Sequence, residues 1–160
     1  VKLIRGLLTE EGPMDAPHAM AVEKSDAEIR IAFGKGWRFR VQLPLVLSQD
    51  TDPMPDIAVI RGAPGSVVHP TAADLVVEVA DSSLNSDLST KAELYATAGV
   101  PEYWVLDVDG RRLFVFRTPA ALPQGLGATA YQSHFTLTDA DTVSPLAAPT
   151  ATVRVADLLP

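Results

Sequence analysis

Leu75-Val76-Val77-Glu78-Val79-Ala80 is the most hydrophobic stretch of the chain, and it carries a charge near its centre. A short run this rich in β-branched residues reads as a buried central strand, apolar on both faces. Glu78 breaks that reading. An ionised carboxylate in such a place is costly unless it is paired or holds a metal. The residue therefore points to a site.

A second acid lies upstream in a similar setting. Pro53-Met54-Pro55-Asp56 leads into Ile57-Ala58-Val59-Ile60 and then Arg61-Gly62. The prolines fix an extended entry, and the apolar run reads as a strand ending at Gly62. Asp56 stands at its mouth. Downstream, Lys91 lies on an expected helix that begins near Asn85 to Asp87 and ends at Gly99. The order is acid, acid on a strand, lysine on the next helix.

The 160 residues suit one domain, residues 1–160, with a sizeable core. A hydrophobic content of 47% against 21% charged marks a folded chain rather than a disordered one. Without cysteine, disulfides and thiolate metal sites are excluded, and a cytoplasmic location is the expectation. No apolar run is long enough for a membrane helix. The opening Val1-Lys2-Leu3-Ile4-Arg5-Gly6 shows no h-region or cleavage site, so no signal peptide is expected there. The net charge of −7 argues against a general nucleic-acid binder, because phosphate contacts need Lys and Arg. A metal-dependent nuclease is compatible with it, since acidic ligands add to the count and bases can cluster locally. Arg30, Lys35, Arg38 and Arg40 form such a group, with a solvated face as the plainer reading.

Around the two acids the chain reads as a mixed α/β arrangement. Lys2 to Thr9 is expected as one strand, followed by a turn at Glu11-Gly12-Pro13. Asp15 to Phe33 reads as a helix with Asp15 as N-cap and Pro17 in its first turn, ended by Gly34-Lys35-Gly36. Trp37 to Leu47 is expected as a strand with Pro44 marking an edge or bulge. Ser48 to Pro55 and Gly62 to Thr71 read as connections. Tyr103 to Asp107 is a strand, Asp109-Gly110 a hairpin turn, and Leu113 to Arg117 its return. Pro119 to Ala128 reads as a loop. Short strands are expected over Tyr131 to Leu137 and within Thr142 to Val155. Tyr131, Phe135 and Val143 to Val155 lie outside the acid-bearing core and are candidates to cover a partner's sheet edge in a homodimer.

Two carboxylates on neighbouring strands disfavour each other's charge, and a divalent cation resolves the conflict. Mg²⁺ prefers oxygen ligands, keeps several waters and is held by one or two carboxylates. Such an ion activates water and stabilises a phosphoryl oxygen, with Mn²⁺ as a substitute. A lysine nearby stabilises the same charge. Asp56, Glu78 and Lys91 thus suit phosphodiester hydrolysis. Each has a plainer reading: Glu78 in a buried structural pair with an arginine, Asp56 as a turn residue, Lys91 in a surface pair with Asp87 four residues earlier. Against the last, Lys91 shares a helical face with Leu88 and Tyr95. His18, His69 and His134 lack metal-ligand spacing. Ser82, Ser83 and Ser86 lack a nucleophile elbow, and Gly34-Lys35-Gly36 is too short for a phosphate loop. Trp37, Tyr103 and Trp104 read as core or interface.

Several stretches together resemble the Uma-two-type restriction endonuclease family, within the PD-(D/E)XK nuclease superfamily. They are Pro55-Asp56-Ile57-Ala58-Val59, Leu75-Val76-Val77-Glu78-Val79, Asp87 with Lys91 and Tyr95, and Gly99-Val100-Pro101-Glu102-Tyr103-Trp104-Val105-Leu106-Asp107. Leu3-Ile4-Arg5-Gly6 and Val155-Ala156-Asp157-Leu158 resemble the family's edges. The resemblance implies a restriction-endonuclease-like core: a mixed β-sheet flanked by two main helices, with extra C-terminal short strands. It also implies a metal-dependent nuclease site acting on DNA. Asp56 and Glu78 match the family's acids. Ala80 stands where the superfamily usually has its lysine, and Lys91 on the following helix takes that part. The carbonyl of Val79 matches a further metal ligand, and His18 a histidine at the opening of the first helix. One departure is Leu7, where the family often has Glu. The alternative reading is a catalytically silent nuclease-fold domain used for binding or assembly.

Overall fold

The computed structural model describes residues 2–9, 14–62, 68–121 and 129–160. Its elements are β1 (Lys2–Ile4), β2 (Leu7–Thr9), α1 (Ala16–Phe33), β3 (Trp37–Val41), β4 (Ile57–Arg61), β5 (Leu75–Ala80), α2 (Leu84–Leu88), α3 (Thr90–Thr97), β6 (Glu102–Asp107), β7 (Arg112–Ala121), β8 (Thr129–Thr138), β9 (Thr142–Val143) and β10 (Val153–Arg154). A 3₁₀ turn follows over Val155–Asp157.

Six strands form one sheet in the order β3-β4-β5-β6-β7-β8. All neighbours are antiparallel except β5 and β6, which run parallel. That parallel pair needs a crossover, and α2 with α3 supplies it. β5 and β6 lie at the centre and are buried along their whole length, as the apolar run around Glu78 implies.

Alternation along the strands sorts the core into two layers. Ile57, Val59, Val77, Val79, Trp104 and Leu106 pack on the side of α1. Ala58, Ile60, Val76, Ala80, Tyr103 and Val105 pack on the side of α3, with Tyr95 from that helix. Asp15 caps α1 by accepting the His18 N–H at 2.9 Å, as its position before Pro17 predicts. Trp104 and Tyr103 are fully buried, which settles them as core.

Several local expectations are corrected. The first strand is two, joined at Arg5-Gly6 with φ of 49° and 78°. Two successive residues in the left-handed region make the tight hairpin turn that matches strand twist. The strand from Trp37 stops at Val41 instead of Leu47. Gln42 turns to φ 54°, and its N–H reaches the carbonyls of Pro55 and Asp56, both at 3.1 Å. The helix expected up to Gly99 breaks at Ser89, whose backbone (φ −118°, ψ −82°) is not helical. The strand around Tyr131 is ten residues long and forms an edge of the main sheet. The turn at Glu11-Gly12-Pro13 lies outside the described residues, as do residues 63–67 and 122–128 of two expected loops.

The segment assigned to a partner's edge is used within the chain. Val143, Val153 and Val155 are buried in the α1-side core, and Phe135 packs against it. Tyr131 packs on the other layer and donates its hydroxyl to the Val100 carbonyl at 2.7 Å. Among the described residues, no helix is long and apolar enough to cross a membrane.

Candidate metal and phosphodiester site

Pairing of β4 with β5 sets Ile57 opposite Val77. One residue further, the same register places Asp56 opposite Glu78, so both side chains leave the same face of the sheet. That is the α3 face, since Val76 and Ala80 flank Glu78 on it. Regular pairing has ended there, which frees the backbone N–H groups from the ladder. Each acid uses the other's strand. The Asp56 N–H donates to Glu78 Oε1 at 2.9 Å, and the Val79 N–H donates to Asp56 Oδ2 at 2.7 Å. Asp56 is 9% exposed and Glu78 3%, so neither is a surface turn residue.

Lys91 reaches in from α3. Its Nζ lies 2.8 Å from Glu78 Oε2 and 3.0 Å from Asp87 Oδ1. The surface-pair reading of Lys91 and Asp87 is therefore corrected: the pair exists, but it is buried, with Asp87 only 1% exposed. The break at Ser89 joins two short helices that both turn these groups inward. Ser83 Oγ donates to Asp87 Oδ2 at 2.8 Å, and the Tyr103 hydroxyl holds the Asp87 carbonyl at 2.8 Å. The Tyr95 hydroxyl stands 3.5 Å from Glu78 Oε2. The arginine partner considered for Glu78 is replaced by this lysine.

Three further residues enter the site. His18, from the first turn of α1, places Nδ1 3.2 Å from Asp81 Oδ2 and Nε2 3.7 Å from Asp56 Oδ2. Gln42 stands opposite Asp56 by continuation of the β3–β4 register, and its Nε2 lies 3.4 Å from Asp56 Oδ1. Asp81 follows directly on β5. The register of the strands was the one sequence signal that could have found Gln42. His69 and His134 lie elsewhere, against Arg40 and Phe116 respectively. Leu7 is 69% exposed on the small hairpin of β1 and β2.

The electrostatics follow from burial of more acid than base. Burial pushes the Glu78 carboxyl up to about 7, with Asp56 and Asp87 adding to the rise and Lys91 opposing it. Asp87 is raised for the same reason, burial first. Burial alone would lower the Lys91 pKa, but Glu78 and Asp87 more than reverse this, and the ammonium stays charged. The Asp56 carboxylate is the main cause that lifts His18 to about 9; burial opposes and Asp81 assists.

A divalent cation fits this donor set. The nearest side chains are two carboxylates with unused lone pairs on one face, among more buried acids than bases. Among the described residues, no three His, Cys, Asp or Glu side chains are already gathered around one point. A hard cation that keeps most of its waters needs no such cage.

The six-stranded mixed sheet with helices on both faces, and two acids opposed where β4 and β5 stop pairing, is a mixed α/β fold of the nuclease-like type. The sequence matches the Uma2 family, described as "Putative restriction endonuclease", over residues 1–156, and the chain belongs to that family. A crystal structure of a "putative nuclease belonging to DUF820" from Anabaena variabilis is similar, with a TM-score of 0.74 at 19% identity. The match covers 98% of this chain and 88% of that one. No curated protein matches.

Proposed function

We propose that this protein is a divalent-cation-dependent endonuclease that hydrolyses phosphodiester bonds in DNA. The observation that carries this reading is the opposed pair Asp56 and Glu78, with the Lys91 ammonium 2.8 Å from the latter. The carboxylates of Asp56 and Glu78, with the Val79 carbonyl, would hold Mg²⁺ or Mn²⁺. The bound ion supplies Lewis-acid polarisation and a more acidic water.

The chain's own groups divide the remaining work. Asp56 and Glu78 are pre-set by the backbone amides of Val79 and Asp56, so no side-chain search precedes binding. Lys91 is held between two acids in a buried setting. Its charge can follow the negative charge that grows on a phosphate oxygen, where low dielectric makes the contact strong. His18, tied to Asp81, fixes the outer side of Asp56. Ala80 cannot serve in place of Lys91, since it has no charge to offer.

Cleavage of plasmid and linear DNA in Mg²⁺, Mn²⁺ and EDTA tests the reading. Wild type is expected to cut only with metal, and Glu78→Gln is expected to lose cutting by roughly 10³-fold while melting at the same or a higher temperature. Wild type that neither binds nor uses either metal would shift the account to a silent domain of the same fold.

A further inference from the structure

Arg5, Arg30, Arg61, Arg111, Arg112 and Arg117 each lie within ion-pair distance of an acid. In a chain of net charge −7 that is the default. Arg38, Arg40 and the exposed Arg154 depart from it, and only the first two lie together on one strand. Among the described residues, neither has a carboxylate within 4.0 Å, although each is half-buried. They occupy alternate positions of β3, an edge strand.

Their direction follows from the strand's pleat. Trp37, Phe39 and Val41 pack on the α1 side, so Arg38 and Arg40 leave the opposite face. That is the face of Asp56 and Glu78. Arg40 pairs with Ala58 and Arg38 with Ile60, so Arg38, Arg40 and Gln42 form a row that ends opposite Asp56. With strands about 4.8 Å apart and about 3.3 Å per residue, the Arg40 Cα stands roughly 8 Å from that of Asp56. Arg40 is braced rather than neutralised: its Nη2 meets the Pro44 carbonyl at 3.3 Å and His69 Nδ1 at 2.9 Å. Its buried Nε has no partner. Burial first, and then the repulsion of Arg38, lowers its pKa. Two like charges held together favour an anion between them. Lys35 is exposed at the turn into β3.

We propose that Arg38 and Arg40 form the phosphate track of this protein, a surface on edge strand β3 that holds the backbone of bound DNA and leads it to Asp56. The track deepens the nuclease reading and rests on it for its substrate. It reads no sequence, because the contacts are to phosphate.

Binding of short fluorescent duplexes of unrelated sequence, measured across salt concentrations in EDTA, tests the track without cleavage. Arg38→Ala is expected to weaken all duplexes alike and to reduce the slope of log K against log salt by about one. Arg38→Lys is expected to keep the slope. Arg154→Ala removes the same charge from β10, on the other side of the sheet, and is expected to change little. An unchanged slope in Arg38→Ala overturns the track, as does an equal loss in Arg154→Ala or a loss seen with RNA but not with DNA. If wild type cuts DNA with metal but Arg38→Ala keeps its slope, the track fails and the nuclease reading stands. If no metal supports cutting but the slope falls, the reverse holds.

Discussion

Glu78 and Glu102 are both buried glutamates on the adjacent parallel strands β5 and β6, and they are satisfied in opposite ways. Glu102 faces α1. Its Oε1 accepts the Leu146 N–H at 2.9 Å, and its Oε2 accepts from Trp104 Nε1 at 2.9 Å and Arg117 Nε at 2.8 Å. Arg117 continues to the Ser144 carbonyl at 2.7 Å. One acid meets one base, and neutral donors take the remaining lone pairs. The result ties residues 144–146 to the central strand. Glu78 faces α3, where one lysine serves two buried acids and a third, Asp56, stands opposite. A balanced buried pair acts as a latch. An unbalanced one is what the proposed cation would offset.

The comparison breaks most easily at the latch. Glu102→Ala should cost about 3–5 kcal/mol in urea unfolding, because it leaves a largely buried guanidinium and an indole N–H without their partner. The affinity of the folded protein for Mg²⁺ should not change. A cost below about 1 kcal/mol would make Glu102 as dispensable to the fold as Glu78 is proposed to be, and the distinction would collapse.

Lys91 sharpens the other half. Lys91→Ala should lower DNA cleavage by roughly 10²-fold or more while metal affinity stays nearly intact, since an ammonium is not a ligand. Asp87→Asn removes only one of the two acids that hold the lysine, so its effect on cleavage should be under about tenfold. Equal and small effects from both variants would return Lys91 to a structural role.

The smallest expected effect is a pH dependence of the metal-free protein. His18 is raised from 6.5 to about 9 by Asp56 and Asp81. A raised pKa contributes stability that is fully present below pH 6.5 and is lost as pH rises through about 9. In EDTA, wild type should therefore lose unfolding free energy between pH 7 and 9.5, and His18→Gln should show a flatter profile in that window. Parallel profiles would mean that His18 is not charged beside Asp56.

What the sequence shows and hides follows the same division. Glu78 is legible because a carboxylate contradicts its own apolar run, and Asp56 because prolines and a strand frame it. The central strands are legible for the same local reasons. Lys91 stays ambiguous in sequence: a partner four residues earlier fits a surface helix as well as a buried one. The break at Ser89 that decides the matter has no composition signal, since Thr90 to Thr97 reads as a continuation of the helix. Gln42 and the end of β3 depend on a left-handed backbone at a residue that rarely adopts one. Glu102 shows no partner in sequence, because Arg117 and Leu146 meet it only once β7 and the C-terminal segment have folded back. His18 reaches Asp56 and Asp81 from an element far away in sequence. Single residues carry the acids' signal; assembled strands and helices carry their partners'.

The acid surplus around Glu78 is proposed to seat a cation, and the balanced Glu102 is not. A crystal soaked in Mn²⁺ and measured for anomalous scattering tests it most directly. One strong peak is expected beside Asp56 and Glu78, and none beside Glu102. No peak at Asp56 and Glu78 under saturating Mn²⁺, with Lys91 still bound to Glu78, would contradict it.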